Sequence, residues 1–320
     1  MGASTTASGK KFQTRKQRRL VFYILMFALP LLQFAIFYLY VNFNSFIIAF
    51  QERTKDFEIV ATGDNFAEAF KYFFSAKGGR MLWNSLQLLL CQLLIATPLG
   101  LLFSYYIAKG KKGAGFFRVM LYLPQVLSMV VLAALFQVIV NEVYPILAKD
   151  WFSAENAGPL LSSSTNSVSV KFYTALVFTL WFSFGANVLI YTGAMSGIDQ
   201  SIVESASLDG VTTFQEFWYI YVPIIFPTIT TFLLTSIAGI FNNQMSLHLF
   251  FGNDGNVPVF AYYFYRMAAK NTYASQDIYA DSGYMTLGEL AALGLIATAI
   301  LVPVTLLVKK ALEKYGPRVD

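Results

Sequence analysis

Four carboxylates and no lysine or arginine lie between Gly197 and Pro223: Asp199, Glu204, Asp209 and Glu216. Acids in such a run can cap helix ends or pair with basic groups on a partner. Ser201-x-x-Glu204 and Thr213-x-x-Glu216 both have capping-box spacing, in which hydroxyl and carboxylate satisfy the first free amides of a helix. Asp209-Gly210 is a turn pair, because glycine takes a positive φ freely. Pro223 suits the start of a following helix. The stretch therefore predicts two short helices folded into an ordered hairpin.

Other reactive side chains are few. His248 is the only histidine and Cys91 the only cysteine, so no zinc site and no disulfide can form within one chain. No Gly-x-Ser-x-Gly nucleophile context and no Walker phosphate loop occurs, which argues against serine hydrolysis and places any ATP hydrolysis elsewhere. His248 could relay a proton or sit at a membrane interface. Glu289 could pair with Arg266 or Lys270, or face water.

The elements that must position these groups are apolar. Hydrophobic residues make up 56% of the 320 residues and charged residues 13%, about half the usual charged fraction of ~25%. A bilayer is the solvent this composition suits. About 20 apolar residues cross ~30 Å of hydrocarbon. Six stretches qualify: Leu20–Val41, Leu82–Ala108, Phe116–Val140, Tyr173–Ser196, Ile224–Phe251 and Met285–Val308. The first is too long and too polar at its end to be a cleaved signal. Pro30, Pro98, Pro124 and Pro303 lie within spans, where neighbouring groups can satisfy freed carbonyls. Gly193-x-x-x-Gly197 fits a helix-packing motif.

The chain reads as one all-α membrane domain, 20–308, between a basic tail, 1–19, and a short tail, 309–320. With both termini cytoplasmic, the inner segments hold 14 Lys/Arg and the outer segments 9. The acid-free cluster Lys109, Lys111 and Lys112 favours this orientation. The acidic 197–223 loop is then also cytoplasmic, where an anionic membrane surface would not by itself select it. The net charge of +5 is explained by these flanks, with no basic–aromatic face for nucleic acid.

Glu204-Ser205-Ala206, three residues, Gly210, nine residues and Ile220-Tyr221-Val222-Pro223 resemble the cytoplasmic Glu-Ala-Ala signature of binding-protein-dependent ABC importer permeases. Ser205 replaces the first alanine and Val222 a leucine. Leu123-Pro124, Trp181, Phe241-Asn242-Asn243, Gly252 to Gly255 and Tyr262-Tyr263-Phe264-Tyr265-Arg266 are similar to maltose-type sugar permeases. The resemblance implies a type I ABC importer permease in a bacterial cell membrane that catalyses nothing itself. Its partners would be a second homologous permease, two ABC ATPases carrying ATP and Mg, and an extracellular or lipid-anchored binding protein. Glu204, Ser205, Ala206, Asp209 and Gly210 would dock on the ATPase, although Glu204 could equally serve as a helix cap.

Polar groups inside spans are costly and mark functional positions. A sugar needs amides, hydroxyls and an aromatic platform. Asn187, Ser236, Asn243 and Trp181 offer them, and Gln137 is a further buried amide. The family resemblance adds Ser183, Ala186 and Gly239 to the substrate pathway. Each of the amides among them could instead bond a neighbouring helix. The alternative function is an ion-coupled secondary transporter of a small polar solute, which would need a buried acid near the midplane.

Overall fold

The computed structural model describes residues 15–53, 59–152, 157–162, 167–253, 255–273 and 285–317. Asp254, part of the polar tract near 162–169 and the side chain of Lys270 lie outside the described set. The helices are α1 (15–49), α2 (Asp64–Phe73), α3 (Ala76–Ala108), α4 (Ala114–Val126), α5 (Met129–Trp151) and α6 (Val168–Ser196). They continue as α7 (Gln200–Leu208), α8 (Thr213–Ile224), α9 (Phe226–Ala238), α10 (Leu247–Phe251), α11 (Phe260–Tyr273) and α12 (Leu287–Tyr315). Gln51–Arg53 and Ile59–Ala61 form a short antiparallel ribbon.

Five helices, α1, α3, α5, α6 and α12, are long and apolar enough to cross a membrane. A sixth crossing is available if α8 and α9, bent by 68° at Ile225, count as one span. α1 is exposed at every described residue from Arg18 to Ile47. So large an apolar surface is a lipid-facing wall rather than a face for water. Its polar side chains turn inward along the helix: Asn42 donates to the Tyr38 carbonyl (2.6 Å) and Ser45 to that of Val41 (3.0 Å).

Two expected spans are not continuous helices. Phe116–Val140 is not one helix. α4 stops at Val126, Leu127 and Ser128 are extended, and α5 starts afresh at Met129. Hydropathy runs unbroken through both pieces, so it could not register the break. At 13 residues, α4 is about 20 Å long, too short for the hydrocarbon. It lies against α6 instead, where Gln125 donates to the Phe182 carbonyl. Ile224–Phe251 is likewise discontinuous. α9 ends at Ala238, the chain runs irregularly through 239–246, and α10 resumes at Leu247. Met245 and Ser246 there have φ of 52° and 58°, a left-handed conformation rare outside glycine.

Packing is closest where small residues meet other backbones. A Cβ at Gly185 would lie 2.1 Å from the Leu121 carbonyl oxygen, so α4 reaches α6 only because this position is glycine. Ser104, fully buried, donates to the Val188 carbonyl (3.0 Å) and ties α3 to α6. By contrast, the Gly193-x-x-x-Gly197 motif meets no other helix: nothing lies within 4 Å of a Cβ at Gly193, and Gly197 faces only its own helix. Buried Asn65 donates to the carbonyls of Ala49 (3.1 Å) and Gln51 (2.9 Å), closing the end of α1.

Gly185→Ala is expected to destabilise the chain by about 1–3 kcal/mol, the usual cost of overpacking. Gly193→Ala should leave stability unchanged or slightly raised, since alanine favours helix. Thermal unfolding of the two variants in detergent checks the contrast.

Candidate functional site

The hairpin forms as expected, but with different caps. α7 begins at Asp199, whose carboxylate accepts from the Ser201 amide (2.9 Å). That amide holds the fully exposed Asp199 carboxyl below its usual range. Ser201 and Glu204 do not form the predicted box: Glu204 accepts from Gln200 Nε2 (2.8 Å), and the Ser205 hydroxyl donates to the Ser201 carbonyl. α7 ends in a Schellman motif, with Gly210 at φ 73°. The Gly210 amide donates to the Ser207 carbonyl and the Val211 amide to that of Ala206, each at 3.2 Å. These bonds satisfy carbonyls that a helix end leaves open.

The second box is also displaced. It joins Thr212 and Gln215, not Thr213 and Glu216: the Thr212 amide donates to Gln215 Oε1 (2.9 Å) and the Gln215 amide to the Thr212 hydroxyl (3.4 Å). Spacing alone could not choose between Thr212-x-x-Gln215 and Thr213-x-x-Glu216, because both fit. The choice leaves the Glu216 carboxylate available, and it accepts from Lys109 Nζ at 2.6 Å. That pair was not foreseen, because Lys109 and Glu216 lie far apart in the chain.

Of the hairpin residues singled out, only Ala206 is buried, packing inward. Glu204, Ser205, Asp209 and Gly210 are exposed. Beside them Leu208 and Phe214 are 89% and 70% exposed. The hairpin thus presents acids and large apolar groups together on a backbone whose turn is hydrogen-bonded shut.

Deeper in the helices, three cavities border the irregular stretch 239–246, and two of them share Asn243. One, of about 260 Å³, is bordered by Ser85, Leu88 and Gln92 of α3, Asn187 of α6, and Ser236 and Gly239 on the α9 side, with Asn243. The other, of about 420 Å³, is bordered by Met129, Thr179, Ser183, Gln244, Ser246 and His248, again with Asn243. Asn243 therefore stands between them, and its Oδ1 accepts from the Met245 amide (2.9 Å), pinning the left-handed turn. Buried polar atoms without partners surround the junction: Ser85 Oγ, Gln244 Oε1, Ser246 Oγ and His248 Nδ1.

The fold brings Asn187, Ser236, Gly239 and Asn243 to one cavity and Ser183 to its neighbour. It separates the rest. Trp181 is 47% exposed and its ring meets Phe178 at a tilt, 6.1 Å away, bordering neither cavity. Ala186 borders neither as well. Gln137 donates to the Phe250 carbonyl (3.0 Å), a bond between helices. Cys91 packs beside a core cluster. Ser85 and Gln92 were not anticipated, since a lone serine or glutamine in an apolar run carries no distinguishing spacing.

The expected Glu289–Lys270 pair lies outside the described residues, and Glu289 has a capping role that was not foreseen. It forms a capping box with Thr286 at the start of α12, accepting from the Thr286 amide (2.9 Å). Arg266 donates to the Asn253 carbonyl (3.0 Å) instead.

Residues 96–320 match the family described as binding-protein-dependent transport system inner membrane component. The arabinooligosaccharides transport system permease protein AraP of Bacillus subtilis (strain 168) is 23% identical over 88% of this chain and 86% of its own. The multiple sugar-binding transport system permease protein MsmF of Streptococcus mutans is 23% identical over 69% of this chain and 71% of its own. Among solved structures, a chain of a bacterial ABC transporter involved in import of the acidic polysaccharide alginate superposes with a TM-score of 0.71. It is 19% identical, over 93% of this chain and 96% of that one. A discontinuous fifth span, a folded acidic hairpin beneath it and a family match over residues 96–320 converge: the chain belongs to the binding-protein-dependent transport system inner membrane components, as a multi-pass transport subunit and not an enzyme.

Proposed function

We propose that this chain is one permease subunit of an ATP-driven importer of a sugar or oligosaccharide. The observation that carries the coupling part is the hairpin α7–α8, with exposed Glu204, Leu208, Gly210 and Phe214 on a closed, capped turn. A surface of that kind suits a groove on another protein better than open solvent, since large exposed apolar groups mark interaction sites. The partner is an ABC ATPase with a basic residue opposite Glu204. Two such ATPases carry the ATP and Mg, a second permease completes the pathway, and a binding protein delivers solute from outside. Both termini and the hairpin then lie on the cytoplasmic side.

The substrate class follows from the relatives, whose names specify arabinooligosaccharides and multiple sugars, and from the polar lining of the paired cavities. Asn187, Ser236 and Asn243 supply amide and hydroxyl groups, Gly239 leaves space, and Ser183 lines the adjoining cavity. Two cavities in series suit a chain of sugar units. Glu289 is engaged at a helix start, which leaves the ion-coupled alternative without its acid.

Purification in mild detergent from the native host, followed by mass spectrometry, tests the assembly. An ABC ATPase and a second permease should accompany the chain; the chain recovered alone overturns the reading. Gly210→Pro should keep the chain inserted but reduce solute uptake to background, and wild-type uptake from this variant would remove the coupling role of the hairpin. Asn187→Ala should raise the KM for uptake about three- to tenfold, the loss of one hydrogen bond, whereas Trp181→Ala should change it less than about twofold. Uptake of a labelled oligosaccharide panel measures both.

A further inference from the structure

We propose that movement of the hairpin reaches the substrate cavity through α3, along a strut made by Lys109, Tyr105 and Glu216, rather than along the chain into α9. The proposal rests on the coupling role given to the hairpin above and adds its route.

The covalent route is bent. α8 and α9 meet at 68° around Ile225, between Pro223 and Pro227. Push on α8 along that path would be absorbed at the bend. A second route is direct. Lys109 follows the last turn of α3, and its ammonium donates to Glu216 Oε1 at 2.6 Å, with the two side chains only 22% and 12% exposed. One turn earlier the Tyr105 hydroxyl donates to the Thr213 carbonyl (3.2 Å). The Tyr105 ring, 7% exposed, meets Phe217 at 5.3 Å and Tyr221 at 4.9 Å, both edge-on and both buried.

Each charge also suits its helix end. Lys109 lies at the carbonyl end of α3 and Glu216 in the first turn of α8, where the helix dipoles favour a cation and an anion respectively. A half-buried pair with this geometry resists separation, since moving one partner strands the other.

From Lys109, α3 runs back to the cavity. Gln92, which borders it, stands 17 residues back along the helix, about 26 Å at 1.5 Å per residue. Ser85, Leu88 and Leu89 border it further along. The π-helical turn of α3, Gln92–Ala96, sits at this point, with the Thr97 hydroxyl bonding the Gln92 carbonyl (3.0 Å). π-turns within α-helices are frequent at functional sites. A helix clamped at one end and interrupted by a π-turn beside the cavity converts an axial displacement into a change of cavity lining. Lys109, Tyr105 and Glu216 are positioning residues in this scheme and touch no solute.

The test uses the full complex with its ATPases in vesicles, carrying Ser236→Cys in a Cys91→Ala background. A charged, membrane-impermeant maleimide reports access to the cavity, so no solute need be known. With the strut intact, Mg-ATP should change the labelling rate several-fold. Lys109→Glu or Glu216→Lys alone should bring the ratio with and without Mg-ATP to about one while hydrolysis continues, and the double reversal should restore most of the change. Single variants that keep the wild-type ratio, or a double variant no better than the singles, overturn the strut. Where a single reversal prevents assembly, Tyr105→Phe replaces it: this variant keeps the ring and loses the hydroxyl with its bonds to the Thr213 carbonyl and to Glu216, and should reduce the response about two- to threefold. An unchanged response there overturns the proposal too. Failure of the parent complex to respond to Mg-ATP would instead count against the coupling role of the hairpin.

Discussion

Within hydrocarbon every backbone N–H and C=O must find its partner inside the protein, because no water is there to supply one. The fold depends on how that demand is met where the chain leaves helical geometry. Through 239–259 it is met by side chains of neighbouring helices. Gln137 bonds the Phe250 carbonyl, and Asn84 bonds the Pro258 carbonyl at 2.9 Å. Tyr262, fully buried, accepts from the Gly255 amide and donates to the Gly252 carbonyl. Asn243 accepts from the Met245 amide. The polar residues of the apolar segments thus have two uses: some hold irregular backbone, and those at 239–246 also border open space.

This division separates the candidate pathway residues by mechanism. A polar group bonded to a distant backbone, as Gln137 is, maintains the break. A group beside a cavity, such as Ser236, is available to a solute. Four of the eight orphaned polar atoms among the described residues, those of Ser85, Gln244, Ser246 and His248, lie near the same break. An unpartnered buried polar atom costs on the order of 1–3 kcal/mol, and such a cost is expected where function rather than stability selects the residue.

At the other end of the molecule, a shift of one residue decides the electrostatics. With the capping box at Thr212 and Gln215, Glu216 is available to Lys109. With the box at Thr213 and Glu216, the carboxylate would be held at the helix start and Lys109 would face solvent alone. The hairpin is therefore docked to α3 by a consequence of local capping chemistry. Lys109 stands out in the sequence only as part of a basic cluster, and the structure gives it a specific partner.

Much was legible in the sequence because it depends on local or additive properties. Apolar length located each continuous helix but not all of its ends, which differ by up to eight residues: the helix expected at Tyr173–Ser196 runs over Val168–Ser196. The Asp209-Gly210 pair marked the turn, since only glycine takes its positive φ without strain. The spacing of Glu204, Gly210 and Pro223 pointed to the family. Tertiary structure decided what depends on distance between elements. It broke the third and fifth spans, whose hydropathy runs on through Leu127 and Gly239. It brought Ser85 and Gln92 to face Asn187 and Ser236, and it left Trp181 outside. It paired Lys109 with Glu216 across a hundred residues, and it set the helix bend at Ile225. Hydropathy sums over a window and capping acts over three residues, whereas a cavity or an ion pair exists only once separate helices have packed.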